Sequence, residues 1–450
     1  MDHSKQLGEE SIGKLLGKFS FPAIIGMLVN ALYNIVDRIF VGHGVGLLGI
    51  SATTVAFPIT ILIMAFGILI GAGAAVSVSI KLGQQRKDLA EAVLGNALAM
   101  AIGVSIFITI SGLIFEEPLL RIFGASNEVM PLAKQFTSII LAGAILPLVG
   151  LSLNNIIRAE GNPKTAMLTM LIGAGLNAVF NPLFIFGLHL GIRGSALATI
   201  VSQTVTSVWV IAYFLRKKSL LKMKRDHLKL NAGIAREIVD LGMASFLLQL
   251  VASVITVVFN QSVKTYGGDM AIAAIGIINS VGMLILMPVI GISQGAQPII
   301  GYNYGAQNQE RVKEALKLSI IASTIVSFAG FIFVQLFPSQ IIAVFSEQSL
   351  ELLKIGPLGL RIFLLMLPII GFQIAGSNYF QAVGQTKIAI FLTLTRQIIF
   401  LLPALLILPC FFRLNGAWIA APVSDFLASV VTGRFLLREI KILRQTAAGA

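Results

Sequence analysis

From residue 14 onward the chain is divided into apolar runs too long for the core of an ordinary soluble domain. They lie near 14–41, 49–80, 90–115, 130–155, 164–187 and 192–215, and then near 237–263, 270–301, 314–337, 353–379, 386–411 and 414–437. Each holds 24 to 32 residues, and about 20 are enough to cross the hydrocarbon of a bilayer as a helix. Lipid gives the backbone no hydrogen bonds, so such runs are stable only as helices or closed barrels, and they far exceed the roughly ten-residue alternating strands of a barrel. The expectation is an all-α integral membrane protein with twelve transmembrane helices. Composition agrees: 12% of the 450 residues are charged and the mean hydropathy is +0.90, whereas soluble domains carry about 25% charged residues.

A net charge of +13 would suggest nucleic acid in a soluble protein. Here the basic residues cluster in alternate loops, and no basic patch alternates with exposed aromatics, so no nucleic-acid partner is expected. With the N-terminus inside, the inward segments hold 24 of the 33 Lys and Arg, and the outward segments hold seven, against six acids. The positive-inside rule therefore places both termini in the cytoplasm. The first eighteen residues mix Asp2, Glu9 and Glu10 with Lys5, Lys14 and Lys18 and do not read as a cleavable signal peptide. The single Cys410 excludes an internal disulfide and a Cys-based metal site, and His3, His43, His189 and His227 all fall in the tail or loops. No Walker A, dinucleotide-loop, HExxH or GxSxG signature is present. No enzyme, catalytic residue, resident metal or cofactor is expected.

The two sets of six runs resemble each other at a shift of 222 to 223 residues. "GAGAAVSVSIKLGQQRKDLAEA" (71–92) lies over "SQGAQPIIGYNYGAQNQERVKEA" (293–315), "AEGNPKTA" (159–166) over "AVGQTKIA" (382–389), and "GSALATIVSQ" (194–203) over "GAWIAAPVSD" (416–425). Six spans separate the copies, so both start on the same side and the repeats are parallel. The expected organisation is an N-terminal six-helix lobe at 1–215, a cytoplasmic basic linker at 216–236 and a C-terminal six-helix lobe at 237–450. Segment 216–238 holds eight Lys or Arg.

Polar groups at membrane depth are costly and need a reason. In "LVNALYNIVDRIFVGHG" (28–44), Asn30, Asn34 and Asp37 step by four and three along one helical face, beside Arg38. In "LNAVFNPLFIFG", Asn177 and Asn181 share a face just before Pro182, which frees a backbone carbonyl. An acid with amides around it can hold a proton or a small hard cation through oxygen ligands. Arg396 and Asp425, in the eleventh and twelfth spans, are candidate partners of each other. Gln249, Asn279 and Met287 are candidate cleft-lining residues of the second half, joining Asn30 and Asn34 of the first.

Across nearly its whole length the chain resembles the multidrug and toxic compound extrusion (MATE) family, in particular its bacterial MepA-like and DinF-like branch. The resemblance is carried by "FSFPAIIGMLVNALYNIVDRIFVG", "IIRAEGNPKTAM", "LNAVFNPLFIFGLHLGIRGSALAT" and "GISQGAQPIIGYNYGAQN". It implies two six-helix bundles forming a V-shaped central cleft in a bacterial or archaeal cytoplasmic membrane. It further implies antiport of lipophilic or cationic small molecules against inward H+ or Na+ by alternating access, with membrane lipids around a monomer. The family's cation-coupling site would fall on Asp37, Asn177, Asn181 and Thr199, with Tyr33 nearby, and a bound Na+ would sit there. Position 181 is commonly Asp in this motif and is Asn here, leaving one carboxylate. A flippase for lipid-linked sugars or polysaccharide precursors shares the architecture and is the alternative, with Arg38 and Arg396 as its only cleft cations.

Overall fold

The computed structural model describes residues 3–216, 219–345 and 350–448, and among them there is helix and no strand. The first half runs α1 (His3–Glu9), α2 (Ile12–Val45), α3 (Leu47–Gly83), α4 (Lys87–Ile114), α5 (Glu116–Ile122), α6 (Met130–Ala142), α7 (Ile145–Ala159), α8 (Pro163–Pro182) and α9 (Ile192–Leu215). The second runs α10 (Ala232–Gly305), α11 (Gln309–Leu336), α12 (Pro338–Phe345), α13 (Leu350–Phe363), α14 (Leu367–Ala382), α15 (Thr386–Leu394) and α16 (Leu402–Ala448). Among the described residues nine helical stretches are long and apolar enough to cross a membrane, and eleven if each of two bent pairs is one span. The chain is a multi-pass membrane protein.

The expected runs all fall on helix, two of them are bent, and two further turns fall in the gaps between runs. α6 and α7 meet at 51°, and α13 and α14 at 44°. α10 turns at Gly268, where φ is 66°, and α16 turns at Arg413, where φ is 51°. The Gly268 turn is natural for a residue without Cβ. The apolar stretch Thr386–Ile442 is 57 residues long, enough for two crossings on either side of Arg413. Wide π-helical turns occupy Leu183–Gly187, directly after Pro182, and Thr395–Leu401.

Contacts divide the chain into two compact units: Met1–Glu9 with Ile25–Phe246, and Glu10–Ile24 with Leu247–Ala450. The division cuts through α2 and α10 instead of the linker, and glycine contacts supply the reason. In the second unit, a Cβ on Gly291 would lie 2.8 Å from the Ile24 backbone nitrogen, and one on Gly295 would lie 2.7 Å from that of Ser20. In the first, a Cβ on Gly73 would lie 1.9 Å from the Ile238 carbonyl oxygen, and one on Gly242 would lie 1.9 Å from that of Leu69. Only glycine permits backbones this close, which is how small residues bring helices together in lipid. The two crossings are images of each other at the repeat offset, since Gly73 maps onto Gly295 and Gly242 onto Ser20.

The linker lies along the first unit. The Lys222 amide donates to Glu91 Oε1 at 3.3 Å, the Lys224 ammonium meets Glu91 Oε2 at 2.5 Å, and the Asn231 amide donates to Asn96 Oδ1 at 2.7 Å. Glu160, 1% exposed, receives Ser219 Oγ at 2.9 Å, the Leu221 amide at 3.2 Å and the Tyr213 hydroxyl. Burial pushes the Glu160 carboxyl up to about 7 in spite of those donors. The folded chain thus holds a proton there that the unfolded chain releases from 4.5 upward, so this contribution to stability falls as pH rises from 4.5 to about 7. Amide exchange at 219–224, corrected for intrinsic rates, should show stronger protection at acid pH than above neutrality. Glu160→Gln should flatten that dependence, and an unchanged slope would remove Glu160 as its cause.

Candidate functional site

Within the first unit three helices converge on Asp37. α2 supplies Tyr33 and Asp37, α8 supplies Asn177 and Asn181, and α9 supplies Ser195 and Thr199, each pair four residues apart and so on one helical face. Asn181 Nδ2 donates to Asp37 Oδ1 at 2.5 Å, and Ser195 Oγ donates to the same oxygen at 3.2 Å. The network continues from Asn181 Nδ2 to Asn177 Oδ1 at 3.4 Å and from Asn177 Nδ2 to Thr199 Oγ1 at 3.3 Å. It ends where the Tyr33 hydroxyl lies 3.5 Å from Thr199 Oγ1. Asn177, Asn181 and Ser195 are buried, while Asp37 and Tyr33 are half-buried.

The local chain explains the positions. Pro182 ends the regular ladder of α8 just past Asn181, and the π-turn carries Phe184 against the start of α9. A Cβ on Gly194 would sit 2.9 Å from the Phe184 carbonyl carbon. That close approach seats Ser195 beside the acid.

Both donors at Asp37 match an ionised carboxylate. Asn181 Oδ1, by contrast, is buried without a partner, and an amide can present either end. Rotating it would offer an acceptor to a protonated Asp37. The same rotation would turn a fourth oxygen toward those of Asp37, Asn177 and Thr199, a set suited to a hard cation. Among the described residues no group of three or more His, Cys, Asp or Glu is gathered. A cation here would meet one carboxylate and neutral oxygens.

All five residues expected at the coupling site, Tyr33, Asp37, Asn177, Asn181 and Thr199, are brought together. Ser195 was not expected. Its signal was present four residues before Thr199, but a serine inside "GSALAT" reads equally well as a small packing residue. The side chains of Asn34 and Arg38 lie outside the described residues. Of the remaining cleft candidates, Asn30 is exposed on α2, Asn279 is exposed on α10, and Gln249 and Met287 are half-buried on α10.

Among its described residues the second unit shows no counterpart of this network at the repeat offset. A shift of 222 maps Tyr33, Asp37, Ser195 and Thr199 onto Ile255, Phe259, Ala417 and Ala421. All four are buried members of one apolar cluster that also holds Val263 and Trp418, with Ala404 packed against it. The ionised groups of that unit sit elsewhere. Arg396 Nε donates to Asp425 Oδ1 at 2.6 Å, and Ser424 Oγ donates to the Arg396 carbonyl at 2.7 Å. Asp425 is thereby committed to a cation of its own chain.

The chain is similar to known proteins over most of its length. The MatE family profile matches residues 22–183 and again 243–406, repeating the offset seen within the sequence. The chain is 30% identical over 435 residues to the multidrug export protein MepA of Staphylococcus haemolyticus, covering 94% of both chains. It is 26% identical over 418 residues to the MepA of Staphylococcus aureus strain MRSA252, covering 93% of this chain and 92% of that one. Among solved structures it is similar to an outward-facing multidrug resistance MATE transporter of the MOP superfamily, with a TM-score of 0.92, 27% identity and 98% of both chains covered. It is also similar to a MOP superfamily transporter from Pyrococcus furiosus, described as having a binding pocket of reverse polarity, with a TM-score of 0.91, 28% identity and 98% of both chains covered.

Proposed function

This chain belongs to the MatE family, and from that premise we propose that it is a secondary active multidrug exporter. It moves lipophilic and cationic small molecules out across the cytoplasmic membrane while H+ or Na+ moves in. The observation that carries this reading is Asp37, a lone carboxylate at membrane depth, held by the amide of Asn181 and the hydroxyl of Ser195. Such a group needs a function that repays its desolvation, and a change of charge coupled to a change of conformation is one.

In the charged state Asp37 accepts from Asn181 and Ser195. When a proton arrives, Asp37 becomes a donor, Asn181 turns its oxygen inward, and the hydroxyls of Ser195 and Thr199 reorient at little cost. If Na+ is the coupling ion, the same oxygens face it and Asp37 stays ionised. Either way one carboxylate handles one ion per cycle. Substrate recognition belongs to Asn30, Asn34, Gln249, Asn279 and Met287 in this reading.

The test is transport of a fluorescent cation in proteoliposomes under an imposed proton gradient and, separately, an imposed sodium gradient. One of the two should drive accumulation. Transport that follows neither gradient would rule out antiport.

A further inference from the structure

Where α4 ends and α5 begins, the first unit carries a surface cavity of about 530 Å³. One wall is apolar, formed by Leu113, Ile114 and Pro118; the other is charged, formed by Glu117, Arg121 and Lys134. Glu117 spans both cations, with Oε1 2.9 Å from Arg121 Nη2 and Oε2 2.8 Å from Lys134 Nζ. Lys134 and Arg121 hold that carboxyl below the ordinary range. Among the exposed charges of the lining two cations face one carboxylate, and Arg121 and Lys134 keep donors to spend. Glu116, the other acid lining the cavity, is 7% exposed and takes Ser138 Oγ on both oxygens, at 2.8 and 3.0 Å. Burial pushes its carboxyl up.

The position matters as much as the charge. α4 is a 28-residue apolar span, and Glu91 near its start pairs with Lys224 of the basic linker. The cavity therefore lies at the opposite membrane face, where lipid headgroups sit. Ile114 in its wall is 67% exposed, and Phe115 and Ile122, next to lining residues in sequence, are 57% and 77% exposed. The second half lacks the set: the offset of 222 maps Glu116, Glu117, Arg121 and Lys134 onto Pro338, Ser339, Ala343 and Gly356.

We propose that this cavity binds the phosphodiester headgroup of a phospholipid in the leaflet facing away from the linker, with the phosphate on Arg121 and Lys134 and the first acyl carbons along Leu113, Ile114 and Pro118. Free phosphate would find the cations but leave the apolar wall unused.

The experiment is native mass spectrometry of the detergent-purified full chain with phosphatidylglycerol, paired with the melting shift that the lipid induces. Arg121→Gln and Lys134→Gln should each weaken retention about fivefold, the scale of one basic residue at a membrane surface. Glu117→Gln frees both cations and should strengthen retention. A purely structural ion cluster would move all three variants in the same direction, and that result overturns the proposal. So would equal retention of a diacylglycerol with the same chains, since it lacks the phosphate. Displacement of the lipid by millimolar inorganic phosphate would identify a plain anion site and equally overturn it.

Discussion

Vesicles holding the Asp37→Asn variant should accumulate no fluorescent cation under a tenfold gradient of the coupling ion, where the parent chain should approach a tenfold excess. The figure follows from exchange of one ion for one monovalent cation. Moving a charge through 100 mV is worth about 2.3 kcal/mol, but the entering ion gains what the departing cation loses. Only the concentration term is left, about 1.4 kcal/mol per tenfold. Asparagine at 37 keeps an acceptor oxygen for Asn181 Nδ2 and Ser195 Oγ, so the network seen around the acid survives while its charge does not. Melting temperature and drug binding should therefore stay close to the parent values. A voltage jump at zero ion gradient should drive no uptake of a monovalent cation by the parent. Full gradient-driven transport by the variant, or loss of transport that tracks unfolding, would remove Asp37 from the coupling role.

Arg396→Met should cost the fold about 3 kcal/mol or more, because it leaves Asp425 with no cation. The Asp425 side chain is 3% exposed and that of Arg396 is 28% exposed, so water cannot replace the lost partner. The Ser424 bond survives, since it goes to the Arg396 backbone. Replacing both partners, as Arg396→Met with Asp425→Leu, removes the unpaired charge and should recover most of the loss. The ion dependence of transport should be unchanged in the double variant, which carries no acid at 425. Thermal melting and gradient-driven uptake together check this. A single variant as stable as the parent would show the pair to be idle, and lost ion dependence in the double variant would place Asp425 in the coupling cycle.

The sequence made the spans visible through apolar length, and the polar pairs visible through spacing. Asn177 and Asn181 stand out because an amide repeated at four residues inside a span must face protein. Tyr33 and Thr199 are different: a single phenol or hydroxyl can bond its own helix, and only family resemblance marked them. Arg396 and Asp425 were readable as partners because a charge buried in one span needs another in a neighbouring span. The division of α2 and α10 between the two units was not readable. It rests on how closely Gly73, Gly242, Gly291 and Gly295 let backbones approach, and a glycine in a span does not name its partner. The turn at Arg413 was readable as the gap between the expected runs 386–411 and 414–437, although no glycine marks its positive φ.

The apolar set in the second half gives the two copies of the repeat unequal histories to come. Around Ile255, Phe259, Ala417 and Ala421 the requirement is volume, and a gain at one position can be absorbed by a loss at its neighbour. Around Asp37 the requirement is a named partner at each position, and no neighbour can take over for a missing donor. Random substitution should therefore accumulate in the second cluster as compensated pairs and be purged from the first one residue at a time. A duplicated gene of this kind keeps its polar partners in one arm and leaves the other free to drift in shape.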